Sequence, residues 1–557
     1  MQTTLCVNYT NSDYKPNCNQ IYGRIAANAG ILTSLLADKN LESLALYTDS
    51  SSEFDHFITQ FAQPLHNKKI YPIYKGNLSE LSKCDIYLRL DPMISYMAWS
   101  RSYVSPNTFS ICGLIHSLPG QNIMEEMMRW FSTPLKPWDA LICSSQAGKK
   151  VIEELLRQWQ DYHKQYNQVV MPVNPVQLPV IPLGIDLQNT YLCKTNSEPF
   201  DLYNKLQINE DDFIVLFVGR LFFYDKAHPI PAFLALEGLS AKLHHKRRIV
   251  FIQAGWFDNL EEETLYRKAA KNFAPNIHHI ILKECTEELK FQLYHIGDVF
   301  LSLVDNIQET FGLTLLEAMA CGLPLVVSDW DGYRESVRHG VEGFLVPTVL
   351  PPAGCGRDLS LAFSTNSIDY ATYCGLTAQM TAVDIPACIE ALYQLAQSEE
   401  LCNKMGAAGY RRVQDKYQWK HVIESYKLLF DELKSIRTKN QNESAITFPP
   451  RIADPYLTFA NYGTNQLTRE HLVAATPYGL NRLSQLNLDP LGNFGETQRL
   501  SVPLNNEIWH LLESNGPLSV SSVINYFAQR YPHIQTGILM RTLVYLIKYD
   551  VIHLNQL

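Results

Sequence analysis

The chain has 557 residues, 46% of them hydrophobic and 18% charged, which supplies apolar material for about two to four domains and excludes a disordered or fibrous protein. Its net charge of −9 argues against a nucleic-acid binder, which would need clustered Lys and Arg. No apolar run reaches the ~18 residues of a membrane span, Met1–Cys6 lacks the basic and apolar regions of a secretory signal, and the 12 cysteines form no C-x-x-C pair, so a cytoplasmic chain with reduced, buried thiols is expected.

Short apolar runs alternate with helical spacing over most of the sequence. Leu5–Tyr9 reads as a strand, Ile25–Leu36 as a helix, Ser43–Tyr47 as a strand and Phe54–Phe61 as a helix. Asp85–Leu90, Thr108–Ile115 and Trp138–Cys143 continue the strand series. This β-α-β alternation predicts a parallel sheet covered on both faces. After the Pro-rich stretch Pro172–Pro182 it resumes, with Ile214–Val218, Ile249–Ala254, His279–Leu282, Val299–Leu303 and Pro324–Ser328 as strands. The expected fold class is α/β: two tandem Rossmann-like, doubly wound domains over residues 1–180 and 181–437, the second closing with a long helix, Gln418–Arg437. A polar and then Pro-containing linker, 438–455, leads to a small, mainly helical module at 456–557. There Asn506–Glu513, Val520–Gln529 and Thr536–Ile547 have helical spacing and Val551–Leu554 reads as a terminal strand, a pattern that resembles a winged helix.

The chemistry concentrates between Asp298 and Pro347. The strand Val299–Leu303 runs into a loop with Asp305, Asn306 and Glu309, and a helix is predicted from Phe311 to a C′ glycine at Gly322, with Pro324 two residues on. Backbone amides at a helix start beside a glycine form an anion site suited to a diphosphate. Upstream, the strand ending in Gly219-Arg220 is followed by Lys226. Arg220 offers a planar fork and Lys226 a point charge, so the two can aim at one pyrophosphate.

Together these segments resemble the family 4 retaining glycosyltransferases of GT-B fold, over about residues 1–437. The resemblance rests on Gly219-Arg220 with Lys226, the E-x7-E of Glu309 and Glu317, Trp330–Glu335, Gly343–Pro347, and the hinge-like Ile181–Asp186. It implies that Arg220 and Lys226 hold the donor diphosphate and that Glu317 binds the nucleotide ribose. It implies that Glu309 contacts the donor sugar near the reacting centre, and that the amides around Phe311, Gly312, Leu313 and Thr314 complete the phosphate cradle. Gly23, in the first turn with Arg24, would reach the cleft between the domains. His116, after Ser110–Ile115, would face donor sugar and acceptor, although a core histidine satisfied by backbone remains the other reading. A hexose would move from a UDP- or GDP-linked sugar to an acceptor, with retention, with no required metal and no cofactor besides the donor.

Departures are present. Lys226 is followed by Ala227 instead of glycine, and Gly255-Trp256-Phe257 replaces a small Gly-x-Gly. Asp329-Trp330-Asp331 is a D-x-D tripeptide, read here as structural. From Ile446 to Leu557, seven Arg or Lys stand against seven Asp or Glu, a poor footprint for DNA, so no nucleic-acid partner is expected. A protein partner through residues 456–557 and a peripheral membrane contact through His244–Arg248 stay open. So does the acceptor: a saccharide, a lipid-linked glycan or a protein. The competing function is a non-catalytic GT-B protein that acts through its terminal module.

Overall fold

In this computed structural model the described residues are 3–14, 23–61, 68–171, 175–187, 199–440 and 450–555. Residues 172–174 of the Pro-rich passage and 441–449 of the linker lie outside them. The chain divides into two units, residues 1–449 and 450–557.

The first unit carries two six-stranded parallel sheets. In the first, β1 (Leu5–Asn8), β2 (Ser43–Thr48), β3 (Lys69–Tyr74), β4 (Ile86–Leu88), β5 (Ser110–Leu114) and β6 (Ala140–Ile142) lie in the order β3-β2-β1-β4-β5-β6. In the second, β7 (Phe213–Val218), β8 (Ile249–Ala254), β9 (His278–Leu282), β10 (Val299–Ser302), β11 (Leu325–Ser328) and β12 (Gly343–Val346) lie in the order β12-β11-β10-β7-β8-β9. Both are the doubly wound order, with helices between strands. The central strands are apolar at every position, as a sheet covered on both faces requires; Phe213–Val218 and Ile249–Ala254 are buried throughout.

The sequence reading misses two edge strands. β3 contains Pro72, which reads against a strand, but among the described residues β3 pairs only with β2, and an edge strand tolerates the missing N–H. β12 begins at Gly343, where a Cβ would come within 2.1 Å of the Leu325 carbonyl oxygen, so only glycine lets that pairing form.

The helix Trp419–Lys439 crosses back onto the first domain. Arg437 pairs with Asp85 at 2.8 Å and Lys434 with the same carboxylate at 2.7 Å. Trp419 closes the other end: a Cβ on Gly30 or Gly184 would strike its ring, at 2.3 and 2.6 Å. A helical insertion follows β12. Its base is a ribbon of β13 (Thr348–Val349) with β14 (Ala382–Val383), and it carries the helices Arg357–Ser364 and Tyr370–Gln379.

The second unit has a three-stranded antiparallel sheet, β15 (Leu472–Ala475), β16 (Leu518–Ser519) and β17 (Ile552–Asn555), ordered β16-β15-β17. The helices Gly479–Leu488, Val502–Asn515, Val520–Arg530 and Thr536–Lys548 cover it around Trp509, Phe527 and Leu543. Three helices and the terminal strand match expectation. β15, β16 and the helix Gly479–Leu488 are additions, too short or too weakly periodic to stand out. Among the described residues no helix is long and apolar enough to cross a membrane, and every cysteine is a free thiol.

Candidate functional site

In the second sheet the strand order reverses between β7 and β10, and open α/β sheets place ligands beyond the strand ends at that point. Arg220 leaves the end of β7, and Glu309 sits in the loop after β10. Lys226 forms an ion pair with Glu309, with only 15% and 13% of the two side chains exposed. Burial pushes the Glu309 carboxyl up, but the Lys226 ammonium and the amides of Phe311 and Thr310 outweigh this and hold it below the usual carboxylate range. Arg220 donates to Asp225 at 2.6 Å and lies over the Phe222 ring. Each expected diphosphate-binding cation therefore already faces a carboxylate.

The helix after Glu309 is Leu313–Ala320, two residues later than its expected start at Phe311. Gly312 caps it with φ of +89°, and a Cβ there would meet the Tyr333 ring at 2.4 Å. Phe311 is buried against Tyr417. The expected C′ glycine, Gly322, has φ of +81°. Glu317, eight residues after Glu309, accepts from Lys290 at 2.8 Å and from the Tyr294 hydroxyl at 3.0 Å. It is neither a solvated surface glutamate nor unpartnered.

His116 lies after β5. Its Nε2 bonds the Leu90 carbonyl at 3.0 Å, which leaves Nδ1 as the acceptor nitrogen. Burial lowers its pKa to about 4, so it is neutral near pH 7. Both sequence readings describe part of it: the ring is tied to backbone, and it also lines the cleft between the domains. Arg24 lines the same cleft and pairs with Asp13 at 3.2 Å. Gly23 begins the helix Gly23–Ala37, exposed, with nothing near the position of a Cβ. The residues just before it lie outside the described set. The run His244–Arg248 is not a free basic face: Arg248 pairs with Asp212, and Arg247 donates to the carbonyls of Asp211 and Ala396.

Two residues of the segment Asp329–Glu335 join the domains. Glu335 accepts from the amides of Gln146 and Ala147, at 2.7 and 3.2 Å. These open the helix Gln146–Tyr166 of the first domain, where amides and dipole favour a carboxylate. Asp331 approaches Ser145, the cap of that helix, at 3.5 Å. Its backbone is left-handed, φ of +43°, and its Oδ2 is buried without a partner. Burial, reinforced by the charges of Glu309 and Glu335, raises its pKa to about 8. Within the D-x-D tripeptide the structural reading fits Trp330, which donates to the Asn306 carbonyl at 3.0 Å. It fits Asp331 as well, through its contact with Ser145 of the first domain. Asp305 is also buried, accepts from the His228 amide, and is raised to about 7 by burial. A non-glycine in the left-handed region was the signal available for Asp331, and it becomes visible only with coordinates.

Residues 201–353 match the protein-family model described as Glycosyl transferases group 1. Among curated proteins, a D-inositol 3-phosphate glycosyltransferase of Geodermatophilus obscurus is 29% identical over 188 residues, 31% of this chain and 37% of that protein. An alpha-monoglucosyldiacylglycerol synthase of Acholeplasma laidlawii is 27% identical over 181 residues, 32% of this chain and 43% of its own length. The chain thus spans less than half the length of these relatives. Among solved structures, the N-terminal domain of Candida albicans trehalose-6-phosphate phosphatase has a TM-score of 0.50 at 12% identity, covering 78% of this chain and 97% of that one. That likeness is one of fold.

Proposed function

We propose that the chain is a retaining glycosyltransferase of the family 4 kind, moving a hexose from a UDP- or GDP-linked sugar to an acceptor. The observation that carries the reading is the Lys226–Glu309 pair beside the Gly312 helix start, at the switch point of the second sheet. The match of residues 201–353 and the names of the relatives support it.

Breaking the anomeric C–O bond puts positive charge on the sugar and negative charge on the diphosphate. Arg220, Lys226 and the amides of Leu313 and Thr314 stabilise the negative side, preorganised before reaction. A diphosphate gives Lys226 a stronger anion than one carboxylate, so Glu309 is released toward the donor sugar. Glu317, held by Lys290 and Tyr294, presents its carboxylate to the ribose. The leaving diphosphate takes the acceptor proton on the donor's own face, which retains configuration and asks nothing of a metal. Domain closure, with Glu335 on the helix start of the first domain, keeps water out. The second unit serves as a winged-helix-like interaction module, and the chain works in the cytoplasm.

The test is thermal stabilisation by UDP- and GDP-hexoses, with mass spectrometry for released nucleotide. Binding and turnover that fall in Lys226→Ala and Glu309→Ala support the reading. No stabilisation by any nucleotide sugar would sink it. The second reading, a non-catalytic protein, draws on the partners that Arg220, Lys226 and Glu317 already have. Donor binding without turnover would favour it.

A further inference from the structure

A cavity of about 740 Å3 lies between the two domains of the first unit, within the range of small-molecule sites. The first domain supplies one wall, from the loops after β4 and β5. The facing wall comes from the insertion on the β13–β14 ribbon, almost all of it beyond residue 353, where the family match ends. That wall is fixed in place. Gln121 donates to the Phe363 carbonyl across the domains. On its own side, Asn306 donates to the Cys374 carbonyl at 3.5 Å, and Gly375 packs so closely on Tyr224 that a Cβ would come within 2.7 Å. Phe363 stacks flat on Tyr373, 4.4 Å apart at 8°.

The lining chemistry is specific. Asn122, Asn366, Ser117 and Tyr370 both donate and accept hydrogen bonds, and Asp91 and Asp369 accept. Neutral His116 adds an acceptor nitrogen. Among the described lining residues Arg24 is paired with Asp13 and Asp91 with Arg89 at 2.5 Å, which leaves Asp369, the cap of the helix Tyr370–Gln379, as the lining carboxylate outside an ion pair. A phosphate-bearing acceptor would ask for cations free of such partners, and the apolar Pro92, Met93, Ile123, Phe363 and Ile368 set among the polar groups suit the C–H faces of a sugar ring. Tyr370 and Cys374 feel the charge of Asp225, the partner of Arg220, so the cavity adjoins the diphosphate side of the cleft.

We infer that this cavity is the acceptor site, that its occupant is an uncharged saccharide, and that the insertion is the wall that selects it. The inference rests on the glycosyltransferase reading above. In the transfer, an acceptor hydroxyl oxygen bonds the anomeric carbon as the bond from that carbon to the diphosphate breaks. The hydroxyl proton leaves on the diphosphate.

Two measurements on the full chain test it. Saturation-transfer NMR with glucose, mannose, maltose and cellobiose reads occupancy without any donor. Mass spectrometry with UDP- and GDP-hexoses plus the same saccharides counts hydrolysis and transfer together. We expect saturation transfer to at least one saccharide and its loss in Asn122→Trp, which fills the cavity from an exposed position. In that variant the ratio of transfer to hydrolysis falls by about tenfold or more. Asp369→Asn keeps the cap of the helix Tyr370–Gln379 and changes the preference among saccharides. Two results overturn the inference: no saturation transfer with any saccharide, or saturation transfer that persists in Asn122→Trp. Failure of every nucleotide sugar to bind sinks the glycosyltransferase reading instead, and the NMR arm still decides whether a saccharide occupies the cavity.

Discussion

The two Rossmann-like domains share one strand order, yet the cleft ends of their sheets carry different groups. In the second domain the ion pairs gather beyond the strand ends at the switch point: Lys226 with Glu309, Arg220 with Asp225, Glu317 with Lys290. In the first domain the most buried pair, Arg101 with Asp139 at 2.6 Å, lies just ahead of β5 and β6, 1% and 0% exposed. Asp139 also accepts from the amides of Ile111 and Lys136, and Arg101 donates to the Phe109 carbonyl. At the cleft end of that domain stand a neutral histidine and two cations already paired, Arg24 with Asp13 and Arg89 with Asp91. Topology therefore decides where a ligand can sit, and side chains decide what charge it carries. On the function proposed above, the second sheet takes the anion and the first a neutral partner.

The contrast can be broken by mutation, beginning with its structural pole. Arg101→Met strands a buried carboxylate, and urea melts should show a loss of about 3–5 kcal/mol. A much smaller loss would mean the pair is not the anchor of the first domain. At the other pole, Lys226→Ala removes the charge that the proposed mechanism directs at the leaving group, and donor turnover should fall by about 100- to 1,000-fold. A fall confined to KM would reduce Lys226 to uniform binding.

Asp331 sharpens the boundary between the domains. Its pKa in the closed arrangement is about 8, above its ordinary value of 3.8. The neutral carboxyl is therefore the form the contact prefers. That stabilisation is complete below the ordinary value and is lost as pH rises through about 8. Limited proteolysis across this window should show the domains loosening with pH, and Asp331→Asn should flatten the dependence. Glu335→Gln keeps an acceptor but removes the charge on the helix start. Its cost should be the smallest, about 0.3–1 kcal/mol in thermal melts.

Much of this was readable from sequence. Buried parallel strands announce themselves as apolar runs, so ten of the twelve sheet strands fall where the hydrophobic pattern puts them. Glu309, Glu317, Arg220 and Lys226 were visible because strand, loop and helix signals fix their places along the chain. Their partners were not. Nothing in the spacing couples Lys290 to Glu317 or Glu335 to Gln146, because those contacts depend on how separately folded segments meet. The roles of Asp331 and of the insertion are hidden for the same reason: each depends on the opposite domain.

The crossing helix has a consequence for how the chain is made. The first domain is not a contiguous stretch of sequence. Its Asp85 waits for Lys434 and Arg437, which a ribosome adds only after some 350 further residues, on the order of tens of seconds later. Until then the groove that receives Trp419–Lys439 is open, its apolar floor exposed and its acid held by Thr4 alone, without a cation. A chaperone that shields nascent chains would meet this protein at that groove, and a stop codon before Trp419 would injure the domain built first.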